Sequence, residues 1–286
     1  MKKLKTYFAG ILAGILLFSS AGTAMAEPAA KTKNPSMMTL ETNRTYQQFD
    51  ITGDGKADRI SFKLKPTYSG LVPRQGYLKV YVNEKTALTL KDRYYQGDYT
   101  GKYDVKLCTV NPEDIFLFVR AISCTDHCNF ARLYRYKNGK LQQMLDLKKI
   151  YKKIFLYRES MDVKEVTDRG IVFRWYGQAG AVGALNWTTT MAWNGYKFYR
   201  PSKTCRVTEE DRNRSWTAER TFSVYKTAAL KTKVFFVKAG DKVKITHVYN
   251  NSKRLFVRVV NKKGQAGWVP CPNEYSKYFK EAVYVG

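Results

Sequence analysis

The chain has 286 residues, 44% of them hydrophobic, which excludes a disordered polyelectrolyte and leaves room for two modest domains. Fifty Lys and Arg against 24 Asp and Glu give a net charge of +26, a balance that draws a protein toward polyanions. Two His and five Cys in the whole chain leave little material for imidazole-based catalysis or a zinc site.

Lys2, Lys3 and Lys5 precede an apolar run from Phe8 to Phe18, and small residues lead on to Ala24-Met25-Ala26. This is the pattern of a secretory signal, so residues 1–26 are expected to be cleaved before Glu27. The run is too short to span a bilayer, and no later segment is apolar enough, so no transmembrane segment is expected in the mature chain. Removing the three signal lysines lowers the net charge from +26 to +23 over the remaining 260 residues. The expected location is secreted, associated with the cell wall. Polyanions met there include wall teichoic acids, anionic lipid headgroups, acidic polysaccharide and released nucleic acid. Residues 27–45, rich in Ala, Lys, Thr and Asn without periodicity, are expected to be a mobile linker.

Phe49 to Leu64 is the organising stretch. Asp50, Thr52, Asp54 and Asp58 stand at positions 1, 3, 5 and 9 of a loop with Gly55 at position 6, and the Lys56 carbonyl at position 7 adds an oxygen. Alternating oxygens around a sharp glycine bend suit a hard cation, so a structural calcium ion is expected. The alternative is an Asp/Gly-rich turn without an ion. Position 12 holds Ser61 rather than Glu, so this is no complete helix-loop-helix hand. Arg59 to Leu64 then alternates polar and apolar, the period of a strand.

From 46 to 201 the same plan recurs three times. Strands are expected to begin near Asp58, Asp114 and Gly170, a constant step of 56 residues. Each is preceded by a short Asp-Ile or Asp-Val element, at Asp50, Asp104 and Asp162, and followed by a hairpin turning at Asn83-Glu84, Asn138-Gly139 or Asn194-Gly195. The first loop resembles the D-x-T-G-D-G-x-x-D calcium loops that open blades of integrin-type, FG-GAP-like β-propeller repeats. The resemblance implies propeller-blade-like units of four strands. Three blades do not close a regular ring, so an open array, a barrel-like packing or pairing with a protein partner is expected. The acidic set survives only in the first copy, which predicts one ion.

Tyr94, Tyr95, Tyr99 and Tyr103, with Arg93 and Lys102, offer a stacking surface or a sheet-edge cover. Lys148, Lys149, Lys152 and Lys153 alternate with Leu147, Ile150, Tyr151, Ile154 and Phe155, the pattern of a short basic amphipathic helix. The cysteines are Cys108, Cys124, Cys128, Cys205 and Cys271; the odd count leaves one thiol unpaired, and Cys124 and Cys128 suggest a local disulfide or free thiols rather than zinc.

Residues 202–218 change composition toward Glu209, Glu210, Asp211 and arginines, with Thr208 and Asp211 as a capping box; this is expected to link two domains. From 219 to 286 short alternating strands are broken by Ala239-Gly240-Asp241, Asn250-Asn251-Ser252 and Asn261-Lys262-Lys263-Gly264. VYKTAALKTKVFFVKAGDKVKI followed by RLFVRVVNKKGQAGWVP resembles the bacterial SH3-like (SH3b) family, most specifically in Gly267-Trp268-Val269. The resemblance implies binding of cell-wall peptidoglycan or its peptides. Groove aromatics are expected at Tyr225, Tyr249, Phe256 and Trp268, each with a core role as the alternative. Residues 220–286 hold 14 basic and 3 acidic side chains, so charge favours an anionic wall polymer.

The expected fold is therefore all-β, three propeller-blade-like repeats followed by an SH3-like barrel. The expected function is binding by an exported protein, with no catalytic residues, no specific nucleic acid and an optional protein partner. Two alternatives stand beside it: a wall- or glycan-cleaving hydrolase using carboxylates such as Glu159, Asp162 and Glu165, and a non-specific polyanion binder whose affinity falls steeply with salt.

Overall fold

The structure, a computed structural model, describes residues 35–69, 72–93, 102–122, 128–151, 157–251, 254–272 and 278–282. The expected signal segment lies outside the described residues, as do Cys124, His127, Tyr94, Tyr95 and Tyr99.

The strands in chain order are β1 (Ser36–Leu40), β2 (Thr45–Phe49), β3 (Asp58–Ser69), β4 (Val72–Val82), β5 (Lys85–Arg93), β6 (Lys102–Asn111), β7 (Asp114–Ile122), β8 (Cys128–Lys137) and β9 (Lys140–Asp146). They continue as β10 (Tyr157–Thr167), β11 (Gly170–Ala179), β12 (Gly183–Trp193), β13 (Phe198–Tyr199) and β14 (Thr204–Val207). After the five-residue helix α1 (Glu209–Asn213) come β15 (Trp216–Thr217), β16 (Phe222–Tyr225), β17 (Lys233–Val237), β18 (Lys242–Asn250), β19 (Leu255–Asn261) and β20 (Ala266–Cys271). The lysine-rich stretch expected as an amphipathic helix has only a 3-10 turn at Leu147–Lys149 among its described residues.

Three antiparallel sheets result. The first has order β2-β3-β4-β5, the second β1-β6-β7-β8-β9, and the third, of eleven strands, runs β10-β11-β12-β14-β18-β19-β20-β16-β17 with β13 on β12 and β15 on β18. Alternation along the strands gives each sheet an apolar face. Ile60, Phe62, Leu78 and Val80 of the first sheet meet Val105, Leu107, Leu117 and Val119 of the second in one core. The opposite face of the second sheet, carrying Cys108, Val110, Phe116 and Phe118, packs on Phe173, Trp175, Leu185 and Trp187 of the third in the other. The middle sheet is thus buried on both sides. This explains why DIFLFVRAI is a nearly unbroken apolar run, while other strands alternate.

Strands β3, β7 and β11 begin at Asp58, Asp114 and Gly170. The first two hairpin turns have the left-handed backbone that Asn-Gly chemistry favours, with φ of 48° and 66° at Asn83 and Glu84 and 52° and 80° at Asn138 and Gly139. The third is a four-residue link, 194–197, in which the Asn194 Oδ1 accepts from the Tyr196 and Lys197 N–H groups at 3.1 and 2.9 Å. At the strand starts the repeats differ in chemistry. Asp58 accepts from Asn83 Nδ2 at 2.6 Å, and Asp114 pairs with Arg135 at 2.9 Å, so each acid ties its strand to a later hairpin. Gly170 instead has φ of +144°, and a Cβ there would lie 2.2 Å from the Met191 carbonyl oxygen. Only glycine lets the third repeat close.

Four expectations need correction. The linker expected over 27–45 includes β1, which alternates inward through Met38 and Leu40 and adds an edge to the second sheet, antiparallel to β6. The linker expected over 202–218 contains β14, α1 and β15. Cys205, Val207 and Trp216 are buried there, and β14 pairs with both β12 and β18. The chain after 219 is consequently no separate barrel: its strands continue the third sheet, and among the described residues neither a closed barrel nor a ring of blades forms. Finally, the three Asp-Ile/Val elements are not equivalent, because Asp50 lies in a loop whereas Asp104 and Asp162 lie inside β6 and β10.

Candidate functional site: an arginine and aromatic row

The expected groove aromatics come together. Tyr249 and Phe256 are cross-strand partners with ring centroids 5.9 Å apart, and Tyr249 meets Trp268 edge-on at 5.8 Å. Trp268 is opposite Tyr225. Phe256 is buried on the same face, whereas Tyr225, Tyr249 and Trp268 are half-exposed.

Register extends this cluster into a row across the third sheet. Directly paired residues share a face. The pairs Arg174–Thr188, Thr188–Arg206, Arg206–His247, His247–Arg258, Arg258–Trp268 and Trp268–Tyr225 therefore form one transverse line over seven strands. The sheet's other face carries Trp187, Val207, Val248, Val257 and Val269, all buried, so the row lies on the outer side.

His247 stands in the middle. Burial, then the fields of Arg258, Arg206 and Arg212, push its imidazole below the ordinary range, so it is neutral at pH 7. Its Nδ1 lies 3.0 Å from the Thr246 hydroxyl. Among the described residues no hydrogen bond or ion pair reaches the guanidinium groups of Arg206, Arg212 or Arg258. Asp211, next to Arg212, does not compensate them: its Oδ2 accepts from the Asn186 backbone at 2.7 Å and the Asn186 side chain at 3.0 Å. Helix α1, the short helix expected after Thr208, forms without a side-chain cap bond from Thr208 and braces β12 through Asp211. A cluster of guanidiniums without acids, beside half-exposed aromatic rings, is chemically suited to a bound anion with a flat or apolar flank.

The acidic loop is built differently from the expectation. Asp50 Oδ1 accepts from the Gly53 and Asp54 N–H groups at 2.6 and 3.0 Å, and its Oδ2 from the Gly55 N–H at 2.7 Å. Asp54 accepts from the Lys56 N–H at 2.9 Å, and Asp58 from the Thr52 N–H at 2.8 Å. Eight residues, 50–57, separate β2 from β3, where two separate the matching strands of the later repeats. The carboxylates close this longer loop. Among the described residues no three His, Cys, Asp or Glu side chains gather as a metal site.

A second charged cluster, which spacing gave no way to foresee, sits between the second and third sheets. Lys106 Nζ is 2.6 Å from Asp162 and 3.5 Å from Asp104, and Arg120 bridges the same two acids at 2.9 and 3.0 Å. Arg120 also donates to the Met161 carbonyl at 2.9 Å. Nearby, Lys148 pairs with Glu159 at 3.1 Å, and burial pushes that Glu159 carboxyl up. Cys108, Cys128, Cys205 and Cys271 are free thiols; burial pushes Cys108, Cys128 and Cys271 up to about 12, which makes them poor nucleophiles. Tyr103 is buried against Phe130 rather than presented as a stacking surface.

Comparison of the chain with family models, with curated proteins and with solved structures finds no match.

Proposed function

We propose that this is an exported binding protein that docks on an anionic cell-wall polymer through the row from Arg206 to Tyr225 on the outer face of the third sheet. One observation carries the reading: Arg206 and Arg258 flank His247 as its cross-strand partners, and among the described residues no acid pairs with either. Arg206 and Arg258 stand two strands apart, on either side of His247. A bound phosphate or carboxylate relieves them through the forked donors of arginine, and the neighbouring Trp268 and Tyr249 flank the ligand with flat apolar surface. Export is the reading of the lysine-headed apolar run at residues 1–26.

The three stacked sheets are read here as propeller-blade-like units in an open stack, and β16 to β20 as an SH3-like unit fused to the last of them. Peptidoglycan or its peptides fit the aromatic end of the row, and teichoic-type polymers its arginine end; the charge favours the second. Calcium at Asp50, Thr52, Asp54, Lys56 and Asp58 is a separate proposal, since a carboxylate that accepts backbone N–H groups keeps lone pairs for a cation. The hydrolase alternative finds less support, since Glu159 is tied to Lys148 and Asp162 to Lys106 and Arg120.

The test is sedimentation of the mature protein with purified walls, with and without teichoic acid, at two salt concentrations. Binding is expected to fall at least tenfold in Arg206→Gln/Arg258→Gln, and to fall with salt and with removal of teichoic acid. Binding at the parent's strength in the double variant sinks the proposal. Binding lost in Trp268→Ala but indifferent to teichoic acid moves the ligand to peptidoglycan.

A further inference from the structure

The first sheet has an outer face of its own. Its inner face, through Ile60, Phe62, Leu78 and Val80, is buried in the core shared with the second sheet. The outward positions form a grid three strands wide: Ser61, Lys63 and Lys65 on β3 lie opposite Tyr81, Lys79 and Tyr77 on β4, which lie opposite Thr86, Thr89 and Lys91 on β5. The grid holds four lysines and no acid. Lys63 and Lys79 are direct cross-strand partners, an arrangement that opposes folding. Among the described residues none of Lys63, Lys65, Lys79 and Lys91 makes an ion pair.

The chemistry discriminates among polyanions. Lys63 Nζ lies over the Tyr81 ring at 5.7 Å from its centroid, and Lys91 Nζ over the Tyr77 ring at 5.4 Å. The tyrosine faces are covered by ammonium groups, so they are not platforms for nucleobases, which need open rings. Instead, each ring holds a lysine in place, and the ammonium groups stand at intervals of about 7 Å along a strand. Such a lattice of point charges fits a linear polymer carrying one charge per unit.

We infer that the outer face of the first sheet is a second binding site, for a linear phosphate polymer. The two sites lie on different sheets, the first and the third, and the second sheet shares a core with each. Bridging of two polymer chains by one protein follows, and that consequence rests on the arginine-row reading above.

The probe is inorganic polyphosphate, used with the full mature chain. Anisotropy of an end-labelled short polymer is followed against salt, and light scattering is followed with a long one. The lysine variant Lys63→Gln/Lys79→Gln/Lys91→Gln changes only outward side chains, and an unchanged melting curve verifies its fold. In it the slope of log affinity against log salt is expected to shrink by about 2, at roughly 0.7 to 0.9 for each phosphate no longer neutralised. Its scattering is expected to fall to background. An unchanged slope overturns the proposal, as does scattering equal to the parent's. Arg206→Gln/Arg258→Gln reads the other site: unchanged affinity in that variant, with loss in the lysine variant, rejects the arginine row and leaves this site supported.

Discussion

The cluster of Asp104, Lys106, Arg120 and Asp162 and the cluster of Arg206, Arg212, His247 and Arg258 are built from similar residues on the same kind of strand, yet they are balanced in opposite ways. In the first, two cations meet two acids within 2.6 to 3.5 Å, and the side chains of Lys106, Asp104 and Arg120 are 10%, 13% and 14% exposed. In the second, Arg206 and Arg258 flank a neutral imidazole, and among the described residues no acid is paired with them or with Arg212. Burial explains the difference. A charge taken out of water between two sheets must find a partner within the protein, whereas a charge on an outer face can leave its partner to a ligand. The paired cluster belongs to the fold, and the unpaired one is left to water or to a ligand.

Breaking the paired cluster is expected to have the largest effect. Arg120→Met leaves Asp104 with only Lys106, removes the donor to the Met161 carbonyl, and should cost about 3 kcal/mol in a denaturant titration. Removing both sides of the network at once should cost less than Arg120→Met alone, because no uncompensated charge is left behind.

A smaller effect is expected from pH at the unpaired cluster. The folded chain holds His247 below its ordinary value, so the unfolded chain takes up the proton more readily. The stability this contributes is present above the ordinary imidazole value, near 6.5, and is lost as pH falls through it. The side chain is half-exposed, so the loss should be well under about 1 kcal/mol. The denaturation midpoint measured from pH 7.5 to 5.5 should fall in the parent and flatten in His247→Asn. Glu159, raised by burial, works with the opposite sign at lower pH.

The smallest stability change is expected where the functional change is large. Arg206→Gln/Arg258→Gln removes like-charge neighbours and should leave the protein as stable as before or more stable by about 0.5 kcal/mol. A loss of more than about 2 kcal/mol in that variant would mean that these arginines, like Arg120, serve the fold, and the contrast between the clusters would fail.

Much of the architecture was legible. Strand starts at Asp58, Asp114 and Gly170 follow from a pattern that repeats in sequence, and the turns at Asn83 and Asn138 from residues that tolerate a left-handed backbone. The site was half legible. Tyr225, Tyr249, Phe256 and Trp268 sit on strands close in sequence, so their alternation already put them on one side of one sheet. Arg206 was missed because a four-residue strand inside a charged, turn-like segment carries too short a pattern to recognise. His247 was noticed but had no partner to give it meaning.

By itself the sequence determined local matters: where the strands of the three repeats begin and where their hairpins turn. These depend on side-chain period and backbone preference over a few residues. Only the tertiary structure decided that β14 joins β12 to β18, making one eleven-stranded sheet where two domains were expected. Pairing between strands distant in the chain is set by how their inner faces, Trp187, Val207, Val248 and Val257, pack into a common core. That packing, and no local signal, lines up Arg206, His247 and Arg258 on the opposite side.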